Sequence, residues 1–298
     1  MAELSFQDLR FRHSNGKVVV EFLGNYQFEV DAEALSNISK YELDKDGSNS
    51  IKFAGIDEET ARRRFNAVLD YGLANLTNAT TGKKTLYVHR FSGIPLIGTT
   101  SFGIIDRNTN MIEVRPLTGC NMNCIFCSVD EGLASKKTSE MVIEENYLVT
   151  EVKKLVELKG CECNIIINSQ GEPTLYKPLP QLISDLKAIA AVKTVTLITN
   201  GTLLTEKLID ELAAAGLTMI NISLNAIAPK IAKIMEGHGY YDVEKVKKMA
   251  AYAAKAPLFS YDPAKPFEVA PHPAGNPSMI QYKGQVDSWR PVAMIPGI

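Results

Sequence analysis

The sequence predicts an α/β fold with a parallel sheet from about residue 100 onward, behind a smaller α/β region. Three observations carry this. Strand-like and helix-like segments alternate between residues 111 and 254. The strand-like segments are apolar or β-branched runs, such as 164–168 (NIIIN) and 194–199, which suit a sheet covered on both faces. Helix start and stop signals sit at the expected joints, with Thr205 and Asp242 before helical stretches and Gly160 and Gly216 after them.

Taken in order, residues 17–31 alternate apolar and polar side chains around Gly24-Asn25, which predicts a hairpin. Ala61, Phe65, Val68, Leu69 and Leu73 recur at helical spacing, so 56–76 reads as an amphipathic helix. These form a small N-terminal α/β domain, residues 1–100; residues 101–298 form the second unit. There, 111–117 is a strand ending at the first cysteine. Residues 141–159 read as a helix with Leu148, Val152, Leu155 and Val156 on one face. Then follow strand 164–168, helix 179–189, strand 194–199, helix 205–215, strand 219–224 and helix 242–254. Eight of the 14 prolines lie between Pro257 and Pro296, which excludes a long helix or central strand there, and 290–298 reads as a fifth strand. This rhythm fits an open doubly wound sheet and part of a barrel equally.

Composition narrows the class. The chain has 298 residues, 45% hydrophobic and 22% charged, as a globular protein with a sizeable core would. A net charge of −2 gives no argument for nucleic acid or an anionic membrane. No signal peptide and no apolar run of membrane-spanning length are read. The five cysteines, Cys120, Cys124, Cys127, Cys161 and Cys163, are odd in number and close in sequence. That argues against a disulfide framework and for a reducing, cytoplasmic setting with metal or redox use.

The sharpest chemical feature is TGCNMNCIFCSVDEG, residues 118–132, with Cys120, Cys124 and Cys127 in C-x3-C-x2-C spacing. Three thiolates on one loop can wrap a compact metal centre. A [4Fe–4S] cluster usually takes four, so three leave one iron open to a small molecule. A zinc site completed by Cys161, Cys163 or a histidine competes, as does a set of buried cysteines with no ligand role.

With Phe126 before its third cysteine, the triplet resembles the radical S-adenosylmethionine (radical SAM) superfamily over residues 111 to about 226. The resemblance implies a partial TIM-type (β/α)6-like barrel, incomplete at the C-terminus, whose cluster loop follows the first strand. It implies that a Gly-Gly-Glu-like turn after the second strand holds the SAM amino group. Here that turn is Gln170-Gly171-Glu172, with Gln170 in place of the first glycine. Thr199-Asn200-Gly201 ends the third strand as in the family. Ser223 and Asn225, in ISLNA, resemble the residues that contact the ribose or carboxylate of SAM.

The implied activity is reductive cleavage of SAM to a 5′-deoxyadenosyl radical, which takes a hydrogen atom from an unidentified substrate. The implied cofactors are a [4Fe–4S] cluster and SAM, and the implied partner is an electron donor such as a flavodoxin or ferredoxin. The rival is a non-catalytic iron–sulfur or zinc binding protein. Cys161 and Cys163, at the opposite end of the second strand, read as structural. His89, Asp130, Glu131, Lys136 and Lys137 read first as ordinary solvated or satisfied side chains. The stretch 236–242 (EGHGYYD) reads as a tight turn, with His238, Tyr240 and Tyr241 as weaker candidates for the substrate side.

Overall fold

The structure is a computed structural model and describes residues 1–255. The chain opens with strands β1 (Ala2–Ser5), β2 (Leu9–Ser14), β3 (Lys17–Phe22) and β4 (Tyr26–Asp31). A short helix α1 (Ala32–Ser36), β5 (Tyr41–Glu42) and β6 (Ser50–Phe53) follow, then α2 (Glu58–Ala74), β7 (Thr77–Asn78) and β8 (Lys84–Val88). The expected hairpin is β3–β4, with Phe22 opposite Tyr26 and left-handed backbone at Leu23 and Gly24. The amphipathic helix is α2, which is capped by the Asp57 carboxylate and buries Ala61 and Phe65.

The second half runs β9 (Gly103–Asp106), β10 (Met111–Arg115), β11 (Thr118–Gly119), β12 (Ser139–Ile143) and α3 (Glu145–Lys159). It continues with β13 (Cys163–Ile167), β14 (Gln170–Gly171), α4 (Leu179–Lys187), β15 (Val192–Thr199) and α5 (Glu206–Ala214). The last described elements are β16 (Met219–Ile222), α6 (Pro229–Met235) and α7 (Val243–Ala253). The main sheet has the order β16-β15-β13-β10-β9. Its first four strands are parallel, and β9 is an antiparallel edge on β10. Ile165, Ile167, Val195 and Leu197 are fully buried in it. At about 1.5–3 kcal/mol for each such side chain, these strands are held chiefly by their own apolar runs. The predicted caps are present: Gly160 ends α3 in the left-handed region, and Thr205 and Asp242 accept backbone N–H bonds at the starts of α5 and α7.

One expectation is corrected. Residues 141–159 are not one helix. Ser139–Ile143 is strand β12, and the helix begins at Glu145. Met141, Val142 and Ile143 extend the helical stripe on paper, but tertiary pairing takes them. β12 lies parallel to β8, which makes it the outer strand of a sheet ordered β12-β8-β7-β4-β3-β2. Its other side touches the chain leading to the cysteines: Ile143 N–H donates to Pro116 O at 2.9 Å and Met141 N–H to Thr118 Oγ1 at 2.9 Å. A strand from beyond residue 100 thus closes the N-terminal sheet. One apolar core runs from Phe11 and Phe65 through Val88 and Val142 to Ile165 and Leu197. The fifth strand expected at 290–298 lies outside the described residues.

Candidate metal and cofactor site

The carboxyl ends of β10, β13, β15 and β16 converge on the cysteine loop. The loop is built mainly by backbone. At its base, β11 and β14 form a two-residue parallel pair, Thr118 with Gln170 and Gly119 with Gly171. Glu172 N–H donates to Gly119 O at 3.0 Å. The two strand ends touch so closely that a Cβ on Gly171 would lie 1.9 Å from Gly119 O, so glycine is required there. On the far side, Cys120 N–H donates to Glu131 O at 2.9 Å, Asn123 N–H to Glu236 O at 3.1 Å and Ile125 N–H to Met235 O at 2.9 Å. The end of α6 therefore clamps the middle of the loop. A Cβ on Gly237 would lie 1.8 Å from Asn123 O, and Gly237 has φ 60°.

Cys120 and Cys124 are partly buried against an apolar floor of Met122, Ala232, Tyr241, Val243 and Val246. Cys127 is exposed. Cys124 Sγ donates to the Glu236 carboxylate at 2.8 Å, and Asn225 Nδ2 donates to the same carboxylate at 2.8 Å. Asn200 Nδ2 reaches Cys120 Sγ at 4.0 Å and Asn121 Oδ1 at 3.0 Å. Burial, opposed by backbone donors and reinforced by the Glu172 charge, pushes the Cys120 thiol up to about 12. Burial and the Glu236 hydrogen bond push Cys124 up as well. The hydroxyl of buried Tyr241 has no hydrogen-bond partner among the described residues.

Glu172 is 1% exposed, and its carboxylate serves the protein. It accepts from Thr174 N–H at 2.9 Å, Thr174 Oγ1–H at 2.6 Å, Thr199 Oγ1–H at 2.6 Å and Asn200 N–H at 2.7 Å. Burial still raises its ionisation above the usual carboxylate range. Glu172 therefore ties the end of β13 to the end of β15. Gln170 and Ser223 make no side-chain hydrogen bond among the described residues, and Ser223 N–H donates to Thr199 O at 2.8 Å.

The structure thus links Cys124 to Asn225 through the Glu236 carboxylate and sets Asn200 beside Cys120, with Glu172 accepting from the Asn200 backbone N–H. Among the described residues, no three His, Cys, Asp or Glu side chains are gathered tightly enough to form a metal cage. The donor set nonetheless fits a cationic centre. Cys120 and Cys124, half-buried beside two buried carboxylates, stay protonated unless positive charge joins them, and a bound metal inverts that logic. Sequence reading missed Glu236, although its stretch was singled out as a turn. Glu131, expected to be solvated, is 3% exposed and is bonded by Lys137. His89 is not brought to the loop and stacks on Tyr87 at 5.6 Å between ring centroids. Tyr240 is 92% exposed, whereas Tyr241 packs under the cysteines.

Against known proteins, the radical SAM superfamily model matches residues 114–260. Residues 114–260 belong to this superfamily, whose enzymes use a [4Fe–4S] cluster and SAM. An uncharacterized protein of Methanocaldococcus jannaschii is 38% identical over 248 residues, covering 81% of this chain and 55% of that protein. GTP 3′,8-cyclase of Clostridium botulinum is 32% identical over 142 residues, covering 48% of this chain and 42% of that enzyme. The chain thus spans about half the length of these curated relatives. A radical S-adenosylmethionine methyltransferase from Kitasatospora setae, with cobalamin and a [4Fe–4S] cluster bound, superposes with a TM-score of 0.39 at 20% identity, over 48% of this chain and 28% of that one. No described helix is long and apolar enough to cross a membrane.

Proposed function

We propose that this chain is a radical SAM enzyme of the cytoplasm that cleaves SAM reductively. In this reading Cys120, Cys124 and Cys127 hold a [4Fe–4S] cluster, and a donor such as a flavodoxin or ferredoxin reduces it. The single observation that carries the reading is the convergence of four strand ends on the C-x3-C-x2-C loop, where parallel α/β sheets place their ligands. When bound, the cluster supplies the electron that splits SAM into methionine and a 5′-deoxyadenosyl radical.

The chain's own residues do the rest. The Gly119–Gly171 contact and the α6 clamp fix the loop. The backbone of Gln170 and Gly171 would hold the SAM amino group, with Glu172 fixing that turn in place. Asn200, Ser223 and Asn225 supply polar groups for the ribose and carboxylate. Met122, Tyr241, Val243 and Val246 keep water from one side of the cysteines. In this reading the parallel strands β10, β13, β15 and β16 are the first four of a partial TIM-type (β/α)6-like barrel, with residues 1–100 as the smaller N-terminal unit.

Anaerobic reconstitution with iron and sulfide tests this. A brown protein that, once reduced, converts SAM into 5′-deoxyadenosine is the expected result. A colourless protein holding one zinc and leaving SAM intact overturns it.

A further inference from the structure

Glu140 lies on β12 and is 1% exposed, yet it carries a carboxylate. Burying a charge is costly unless donors surround it. The donors come from one place, the turn and strand joining β7 to β8. Asn78 Nδ2 donates at 2.7 Å, Thr81 Oγ1 at 3.0 Å, and Lys83 Nζ stands 3.9 Å away. The Lys83 side chain is itself only 11% exposed. Its ammonium also donates to Gly132 O at 3.3 Å, on the returning limb of the cysteine loop. The neighbouring carbonyl, Glu131 O, is the acceptor of the Cys120 N–H. The outgoing limb meets the same carboxylate: a Cβ on Gly119 would lie 2.9 Å from Glu140 Oε2. One buried ion pair therefore contacts both limbs of the loop and anchors them to the N-terminal sheet.

A buried ion pair is a poor source of net stability, because apolar side chains of the same size would often serve as well. What it supplies is position, since its geometry is satisfied in one arrangement only. We propose that Glu140, with Lys83 and Asn78, is the positioning element that sets where Cys120 stands against the sheet. This gives the N-terminal sheet a role in the cofactor site and rests on the assignment of Cys120, Cys124 and Cys127 as cluster ligands. Glu140 and Lys83 touch neither cofactor nor substrate in this account; they act through the loop backbone.

The test uses the full chain. Glu140→Gln keeps the shape but turns an acceptor into a donor facing Asn78, and Lys83→Met removes the ammonium. In the metal-free protein, hydrogen exchange at the Cys120 amide rises about tenfold or more in both variants, while the Ile165 to Ile167 amides in β13 keep their wild-type rates. After reconstitution, the reduced cluster gives a broadened electron paramagnetic resonance signal and less iron per chain, and Lys83→Arg restores both. Unchanged exchange at Cys120 and an unchanged resonance signal in both variants overturn the proposal. Cys124→Ala run in parallel separates the two readings. If it retains a full cluster while Lys83→Met still loosens the loop, the ligand assignment fails and the positioning role stands.

Discussion

The two ends of the parallel sheet each carry cysteines, and they are built in opposite ways. At the carboxyl ends, Cys120 and Cys124 sit on a loop gripped through its backbone by β14, by residues 131–132 and by the end of α6. Two buried carboxylates, Glu172 and Glu236, stand beside it. At the amino end of β13, Cys161 is exposed and Cys163 is buried. Among the described residues, Cys163 Sγ donates to the carbonyl of Cys161, at 3.4 Å. The space near Cys161 is a groove of about 760 Å3 with an apolar floor of Val149, Val156, Ala188 and Ile189, flanked by the charged side chains of Lys153, Glu157, Glu162 and Asp185. The residue type is the same at both ends. What separates a site from a packing position is the polar framework that fixes the sulfur's surroundings.

Substitutions can break this contrast. The largest expected effect is Cys124→Ala, which should abolish iron and sulfide uptake on anaerobic reconstitution, whereas Cys161→Ser should load like the wild type; equal loading of the two would erase the distinction between the ends. Next comes Gly171→Ala. Its methyl would meet Gly119 O at 1.9 Å, so β11 and β14 must part. A destabilisation of about 1–3 kcal/mol in chemical denaturation is expected, with reduced iron uptake. Glu172→Gln comes third, leaving one of four donors facing an amide N–H at a cost of about 1–3 kcal/mol, read from the shift in denaturation midpoint. The smallest is Cys163→Ala, a buried sulfur lost from the core. It should cost about 1 kcal/mol and leave iron content unchanged; a loss of iron would show that the amino end is coupled to the loop.

Much of this could be read from the chain alone. The triplet, the glycine at 171, the cap residues and the order of strands and helices are local signals, each contained in a few neighbouring residues. The missed features are all long-range. β12 was read as helix because Met141 to Ile143 fit both periods, and only pairing with β8 and Leu117 decides between them. Glu140 looks like a surface charge until the Asn78–Lys83 segment closes over it. Gly237 announced a turn, but its partner Asn123 lies far away in sequence, and no spacing rule connects the two.

The clamp on the cysteine loop also bears on the order of events during synthesis. The Cys124–Glu236 contact spans 112 residues. A ribosome adding about 5–20 residues each second completes the triplet several seconds before the end of α6 leaves it. Through that interval the thiols lack their apolar floor, their carboxylate neighbour and one side of their backbone grip. The cysteine loop is therefore among the last parts of the described chain to take its final form, although it is encoded in the middle. A pairing this distant in sequence also slows folding. In the proposed reading, cofactor loading is therefore a late event, with the thiols open to competing metals and oxidants until α6 arrives.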